Sequence, residues 1–263
     1  MSSTVAHPHD CDRRWFKWFG RRDTPGDIRL LCFHHAGGSA AIYRTWPRLL
    51  PRSIEPVAVQ LPGRADRFNE PAYDRMEPLV DELVEMLKPL LDRPFACYGV
   101  SMGSQVAWAL THALRERSMP LPLQLFLACD VAPCHHDGRR PWEGRPDGLA
   151  GYLRDMGGTP PEVLAEPELV KALLPTLRAD LTVLSTNRPP AQAPLDVAIR
   201  AFAGDDDPSA PPDLMAAWRD ETTAHFDLDV LQSGHFFGVE AERQVIERVG
   251  DDLVRNRRVE GQP

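Results

Sequence analysis

Short unbroken apolar runs alternate along this chain with longer stretches in which apolar residues recur every three or four positions. Ile28 to Phe33, Pro56 to Leu61, Phe95 to Val100, Leu123 to Cys129 and Val197 to Ala203 are runs of the first kind, and the strand-like FDLDVL near position 230 follows them. Runs of this length predict strands buried on both faces of a parallel sheet. Met76, Leu79, Val80, Leu83, Val84, Leu87, Leu90 and Leu91 keep one helical face apolar, and residues 102–117 and 239–256 also read as helices. Strands alternating with helices predict right-handed crossovers and a doubly wound α/β sheet. The stretch 138–190 breaks the rhythm. It opens rich in Gly, Arg and Pro, lacks a strand-like run, and carries the amphipathic pieces Leu149 to Met156 and Leu169 to Leu184. It is predicted to be a helical lid over one end of the sheet. Residues 1–27 read as an irregular lead-in, closed by Pro25-Gly26, whose aromatic-basic segment Arg13 to Arg22 is expected to dock its rings on the domain.

Composition narrows this picture. The 263 residues suffice for one large α/β domain over 1–263, and 43% hydrophobic with 26% charged residues fits a soluble globular protein. No apolar run reaches membrane-span length, and no apolar segment with a cleavage site follows the N-terminal basic residues, so cytoplasmic residence is expected. A formal net charge of -8 gives no reason to expect nucleic-acid binding. The five cysteines include no CxxC pair; Cys32, Cys97 and Cys129 lie in apolar runs and are read as buried free thiols. His7, His9, Asp10 and Cys11, and separately Cys134, His135, His136 and Asp137, lack a second ligand cluster at suitable spacing, so no metal is expected.

The candidate chemistry centres on Gly99-Val100-Ser101-Met102-Gly103, the only GxSxG in the chain. It follows a strand-like run and opens a helical one, the context in which such a turn exposes a nucleophilic serine. Side chains at 99 and 103 would crowd the turn, and the helix N-terminus favours developing negative charge. The base is assigned to His235, on a loop after the last strand-like run and before the last helix. Gly204-Asp205-Asp206-Asp207-Pro208 supplies the carboxylate: Asp207 is chosen, Asp206 is the reserve, and Asp205 reads as a solvated turn residue. The order Ser, Asp, His differs from that of the other common triad hydrolases. Oxyanion donors are assigned to the backbone N–H groups of Met102 and Ala36, the latter in the loop FHHAGGSA. His34 and His35 in that loop are expected mainly to pack.

These segments together resemble the type II thioesterases of polyketide and nonribosomal peptide synthetase pathways. The resemblance runs from about Trp15 to Leu253 on CFHHAGGSA, VQLPGRADRF, YGVSMGS, MGGTPPEVL with LRADL, GDDDP and GHFF. It departs at His34, where proline is common, and at TVLSTNRP, where a glutamate and a tyrosine are more usual. The resemblance implies an α/β-hydrolase fold, with Ser101, Asp207 and His235 as triad and Ala36 and Met102 as oxyanion hole. It also implies hydrolysis of acyl thioesters on the phosphopantetheine arm of carrier proteins, either to edit aberrant groups or to release intermediates. No cofactor beyond that substrate-borne arm is expected. The expected partners are acyl or peptidyl carrier domains, met by a monomer, with Arg139, Arg140 and Arg145 as candidate docking residues. The alternatives are a carboxylesterase or lipase on the same fold and a catalytically silent carrier-binding protein.

Overall fold

The computed structural model describes residues 13–20, 26–138, 140–187 and 192–260, with side chains through residue 255. Among them one sheet holds β1 (Phe16–Lys17), β2 (Ile28–Phe33), β3 (Ile54–Val59), β4 (Phe95–Val100), β5 (Gln124–Ala128), β6 (Ala198–Gly204) and β7 (Phe226–Leu231). The order is β1-β3-β2-β4-β5-β6-β7. Every pairing is parallel except that of β1 with β3. The helices are α1 (Trp46–Leu49), α2 (Met76–Leu87), α3 (Met102–Glu116), α4 (Gly148–Met156), α5 (Pro161–Leu164), α6 (Pro167–Thr186), α7 (Pro212–Met215) and α8 (Val239–Glu260). This is an α/β-hydrolase arrangement, a mostly parallel sheet flanked by helices.

Alternation along the strands explains why both faces need covering. Leu31 and Phe33 of β2 join the cluster that holds Leu79, Leu83 and Leu87 of α2 with Val106, Leu110 and Leu114 of α3. Leu30 and Cys32 point the other way, into a cluster with Trp46 of α1 and Val245, Ile246 and Val249 of α8. A third, smaller cluster of Trp142, Leu149, Leu177 and Leu181 lies within the segment joining β5 to β6. The chain winds from β2 outward to β3 and then crosses to β4, so the strand order reverses between β2 and β4. A crevice opens at the carboxyl ends of strands at such a reversal.

Several boundaries differ from the sequence reading. The run Pro56 to Leu61 pairs two residues earlier, as Ile54–Val59, and β5 stops at Ala128 because Cys129 turns to φ +54. The helix over Met76 tightens to a 3-10 turn at Lys88–Leu90, where Pro89 offers no N–H to continue it. The lead-in does dock its rings: Trp15 and Phe16 are buried, and Trp15 lies 4.0 Å beneath the Arg67 guanidinium. Its strand β1 was not foreseen, since two residues are too few to show a period. Cys32, Cys97 and Cys129 are buried free thiols, and Cys134 is free and exposed. Among the described residues no helix is long and apolar enough to cross a membrane.

Candidate active site

Ser101 sits between β4 and α3 with φ 53 and ψ -122, in the left-handed half of backbone space. A β-carbon at Gly99 would lie 2.2 Å from Gly103 O, and one at Gly103 would lie 2.1 Å from Phe33 O. The two glycines are therefore what lets the chain reverse at Ser101 and press against the end of β2. Ser104 completes the turn: its buried hydroxyl lies 2.9 Å from the carbonyls of both Gly99 and Ala128. Sequence reasoning passed over it, although it is a polar residue on the inward face of an apolar helix.

The three residues predicted to act together do meet. His235 Nε2 is 3.2 Å from Ser101 Oγ, and His235 Nδ1 is 2.8 Å from Asp207 Oδ2. With Nδ1–H donating to the carboxylate, Nε2 is left as an acceptor for the serine proton. Asp207 is 2% exposed, and its other oxygen accepts the Ser209 N–H at 2.8 Å. Burial alone would raise its pKa, but the His235 hydrogen bond and charge, with the Ser209 and Ala210 amides, hold it below the ordinary carboxylate value. Asp206 and Asp205 are exposed, and Asp205 instead accepts the Ser233 N–H at 2.9 Å. The reserve assignment to Asp206 does not agree with this geometry.

The loop after β2 faces the nucleophile. The Gly38 N–H donates to His35 O at 3.0 Å, closing a turn with Gly37 at φ +72. Ala36 lines the cavity beside Ser101, and Met102 follows Ser101 as the first residue of α3. His34 is buried behind the loop, with Nδ1 2.8 Å from His35 O and Nε2 without a hydrogen-bond partner. Burial, reinforced by the nearby Arg64 charge, pushes His34 well below the ordinary imidazole pKa, and burial lowers His35 too. His35 takes part in the wall of the site, edge-on to Phe236 at 5.0 Å between centroids.

A cavity of about 450 Å³ joins Ser101, His235 and Ala36 to the segment between β5 and β6. Its far wall is apolar, built by Leu153 and Met156 of α4, Val163 of α5, and Leu177, Leu181 and Leu184 of α6. Two residues that the sequence reading quoted without a role, Arg64 and Asp180, form a buried ion pair beside it, Nη1 to Oδ2 at 2.7 Å. Of the residues expected to receive a partner, Arg140 pairs with Glu143 at 3.0 Å and Arg145 with Asp147 at 3.3 Å. Arg139 lies outside the described residues, as do His7, His9, Asp10 and Cys11. His136 is drawn to Asp130, Nε2 to Oδ1 at 3.3 Å. Among the described residues no three His, Cys, Asp or Glu side chains converge as metal ligands would.

Comparison with known proteins gives a consistent picture. A family model described as a thioesterase domain matches residues 28–253. Linear gramicidin dehydrogenase LgrE of Brevibacillus parabrevis is 38% identical over 225 residues, covering 84% of this chain and 85% of its own. The structure of RedJ, a thioesterase from the prodiginine pathway of Streptomyces coelicolor, superposes with a TM-score of 0.81 at 33% identity, over 86% of this chain and 85% of its own. BorB, a type II thioesterase from the borrelidin biosynthetic cluster, gives 0.82 at 30% identity over 91% and 97%.

Proposed function

The chain belongs to the thioesterase family and is a thioester hydrolase, and from that premise we propose that it cleaves acyl thioesters from the phosphopantetheine arm of carrier proteins in polyketide or nonribosomal peptide assembly. The observation that carries the reading is the continuous line from Asp207 through His235 to Ser101, opening into an apolar cavity. His235 takes the Ser101 proton as the hydroxyl oxygen attacks the thioester carbonyl, while Asp207 fixes the imidazole tautomer and stabilises its cation. General-base help of this kind contributes roughly 10²- to 10⁴-fold. The Ala36 and Met102 N–H groups receive the oxyanion, and each such donor lowers the barrier by about 3 to 4 kcal/mol. The thiol departs with a proton from His235. Water, deprotonated by the same imidazole, then cleaves the acyl-serine.

The segment 138–190 acts as the lid of this single domain. Its leucines and Met156 supply an apolar wall suited to an acyl chain and exclude bulk water from the acyl-enzyme. A monomer meeting a carrier domain in the cytoplasm satisfies this reading, and the phosphopantetheine arrives with the substrate. LgrE carries the name of a dehydrogenase, but this sequence contains no GxGxxG fingerprint for a dinucleotide. The direct test is Ser101→Ala assayed on acyl-pantetheine and acyl-carrier thioesters. Turnover is expected to vanish, and retained turnover overturns the assignment. A clear preference for oxygen esters over acyl-carrier substrates makes the protein an esterase instead.

A further inference from the structure

Asp180 stands on α6, within the lid segment, yet its carboxylate is spent on a loop from the other side of the crevice. Its Oδ2 accepts the Gly37 N–H at 2.7 Å and Arg64 Nη1 at 2.7 Å, while Oδ1 accepts Arg64 Nη2 at 2.8 Å. Both side chains are almost fully buried, at 3% and 6% exposure. Arg64 carries the connection further, donating to Gly38 O at 3.2 Å and Pro62 O at 3.1 Å. Thr176, one helical turn before Asp180, donates to Gly63 O at 2.6 Å. One face of α6 is thus bonded to the loop after β2 and to the loop after β3.

A buried ion pair is a poor way to gain stability, because desolvating two charges offsets most of their attraction. Its geometry says what it does instead. The Gly37 N–H belongs to the peptide plane that begins at Ala36, and holding it fixes that plane. The Ala36 carbonyl in the same plane is bonded from the other side by His35 Nδ1 at 2.9 Å. With the plane held at both ends and the 35–38 turn closed, the preceding Ala36 N–H is left in one direction. We propose that Asp180 is a positioning residue, by which the lid helix holds the oxyanion loop in its working orientation. Lid and oxyanion hole are then coupled: a shift of α6 that withdraws the carboxylate from Gly37 also releases the donor at Ala36. The proposal rests on the reading of Ala36 as an oxyanion donor.

Removing the carboxylate alone strands the Arg64 charge, so the test is made in an Arg64→Met background, where no charge is left buried. Arg64→Met/Asp180→Asn keeps a carbonyl oxygen for the Gly37 N–H; Arg64→Met/Asp180→Ala does not. Each is assayed on an acyl-pantetheine thioester, normalised to active sites by fluorophosphonate titration. Loss of a whole oxyanion donor costs about 10²- to 10³-fold in kcat, and a loosened loop costs part of that. The Ala double variant is expected to show kcat at least about tenfold below the Asn double variant, with KM within about threefold. Its affinity for a boronate that forms a tetrahedral serine adduct should fall by the same factor. Equal kcat per active site, with only thermal stability differing, overturns the proposal. Turnover that survives Ser101→Ala instead overturns the active-site reading beneath it, so the two failures are distinguishable.

Discussion

Replacing Asp207 by asparagine tests the triad through the imidazole tautomer. The new carboxamide has little choice of orientation. Asp207 Oδ1 accepts the Ser209 N–H at 2.8 Å, and the Ala210 amide also holds the carboxyl group. An asparagine keeps its carbonyl oxygen there, because a flipped amide would set NH₂ against the Ser209 N–H and lose that hydrogen bond, at about 0.5 to 1.5 kcal/mol. Its NH₂ then faces His235 Nδ1, which must become an acceptor. The proton moves to Nε2, and the atom 3.2 Å from Ser101 Oγ changes from base to donor. In a Ser-His-Asp hydrolase this inversion lowers kcat by about 10⁴, or about 5 kcal/mol at 1.36 kcal/mol per tenfold. The assay follows thiol release from acyl-pantetheine at pH 7.5, beside the melting temperature and the rate of fluorophosphonate labelling. KM should change little. The exposed neighbour provides the control: Asp206→Asn should stay within about twofold. A folded Asp207→Asn protein within tenfold of wild type, or an Asp206→Asn protein that falls as far, refutes the reasoning.

Two further outcomes follow from the same geometry. Gly103→Ala would set a β-carbon 2.1 Å from Phe33 O and 3.0 Å from His34 O, both backbone atoms. Overpacking commonly costs about 1 to 3 kcal/mol, and a contact this short against backbone should reach the top of that range in urea unfolding; a change below 1 kcal/mol contradicts the packing argument. Stability should also fall as pH drops below about 6.5, the ordinary imidazole value. His34 is buried with its pKa lowered by burial and by Arg64, so below 6.5 the unfolded chain binds a proton that the native one refuses. The contribution is fully present above 6.5 and is lost toward the folded pKa, by up to about 1.4 kcal/mol per pH unit. Urea midpoints from pH 7.5 to 5.0 should show a smaller slope in His34→Gln than in wild type; equal slopes refute this role for His34.

The architecture was legible because its signals are local. Burial on both faces leaves a strand almost wholly apolar, so β2 and β4 could be bounded from the run of apolar residues, whereas β7, FDLDVL, was legible from its alternation. A sharp turn with φ 53 at Ser101 needs small neighbours, and Gly99 and Gly103 write that requirement into five consecutive letters. The two-residue β1 and the exact end of β5 escaped, since β1 is too short to show a period and the end of β5 is decided by the positive φ of Cys129. Three adjacent aspartates looked nearly alike as sequence; only the packed structure turns Asp207 inward to 2% exposure and leaves Asp205 and Asp206 at the surface. The tie between Arg64 and Asp180 has no sequence signature, because 116 positions separate the partners and no period links them. What the chain determines by itself is the set of backbone angles and apolar faces, which depend on near neighbours. Which charge meets which amide across the crevice is decided when distant segments close around a common space.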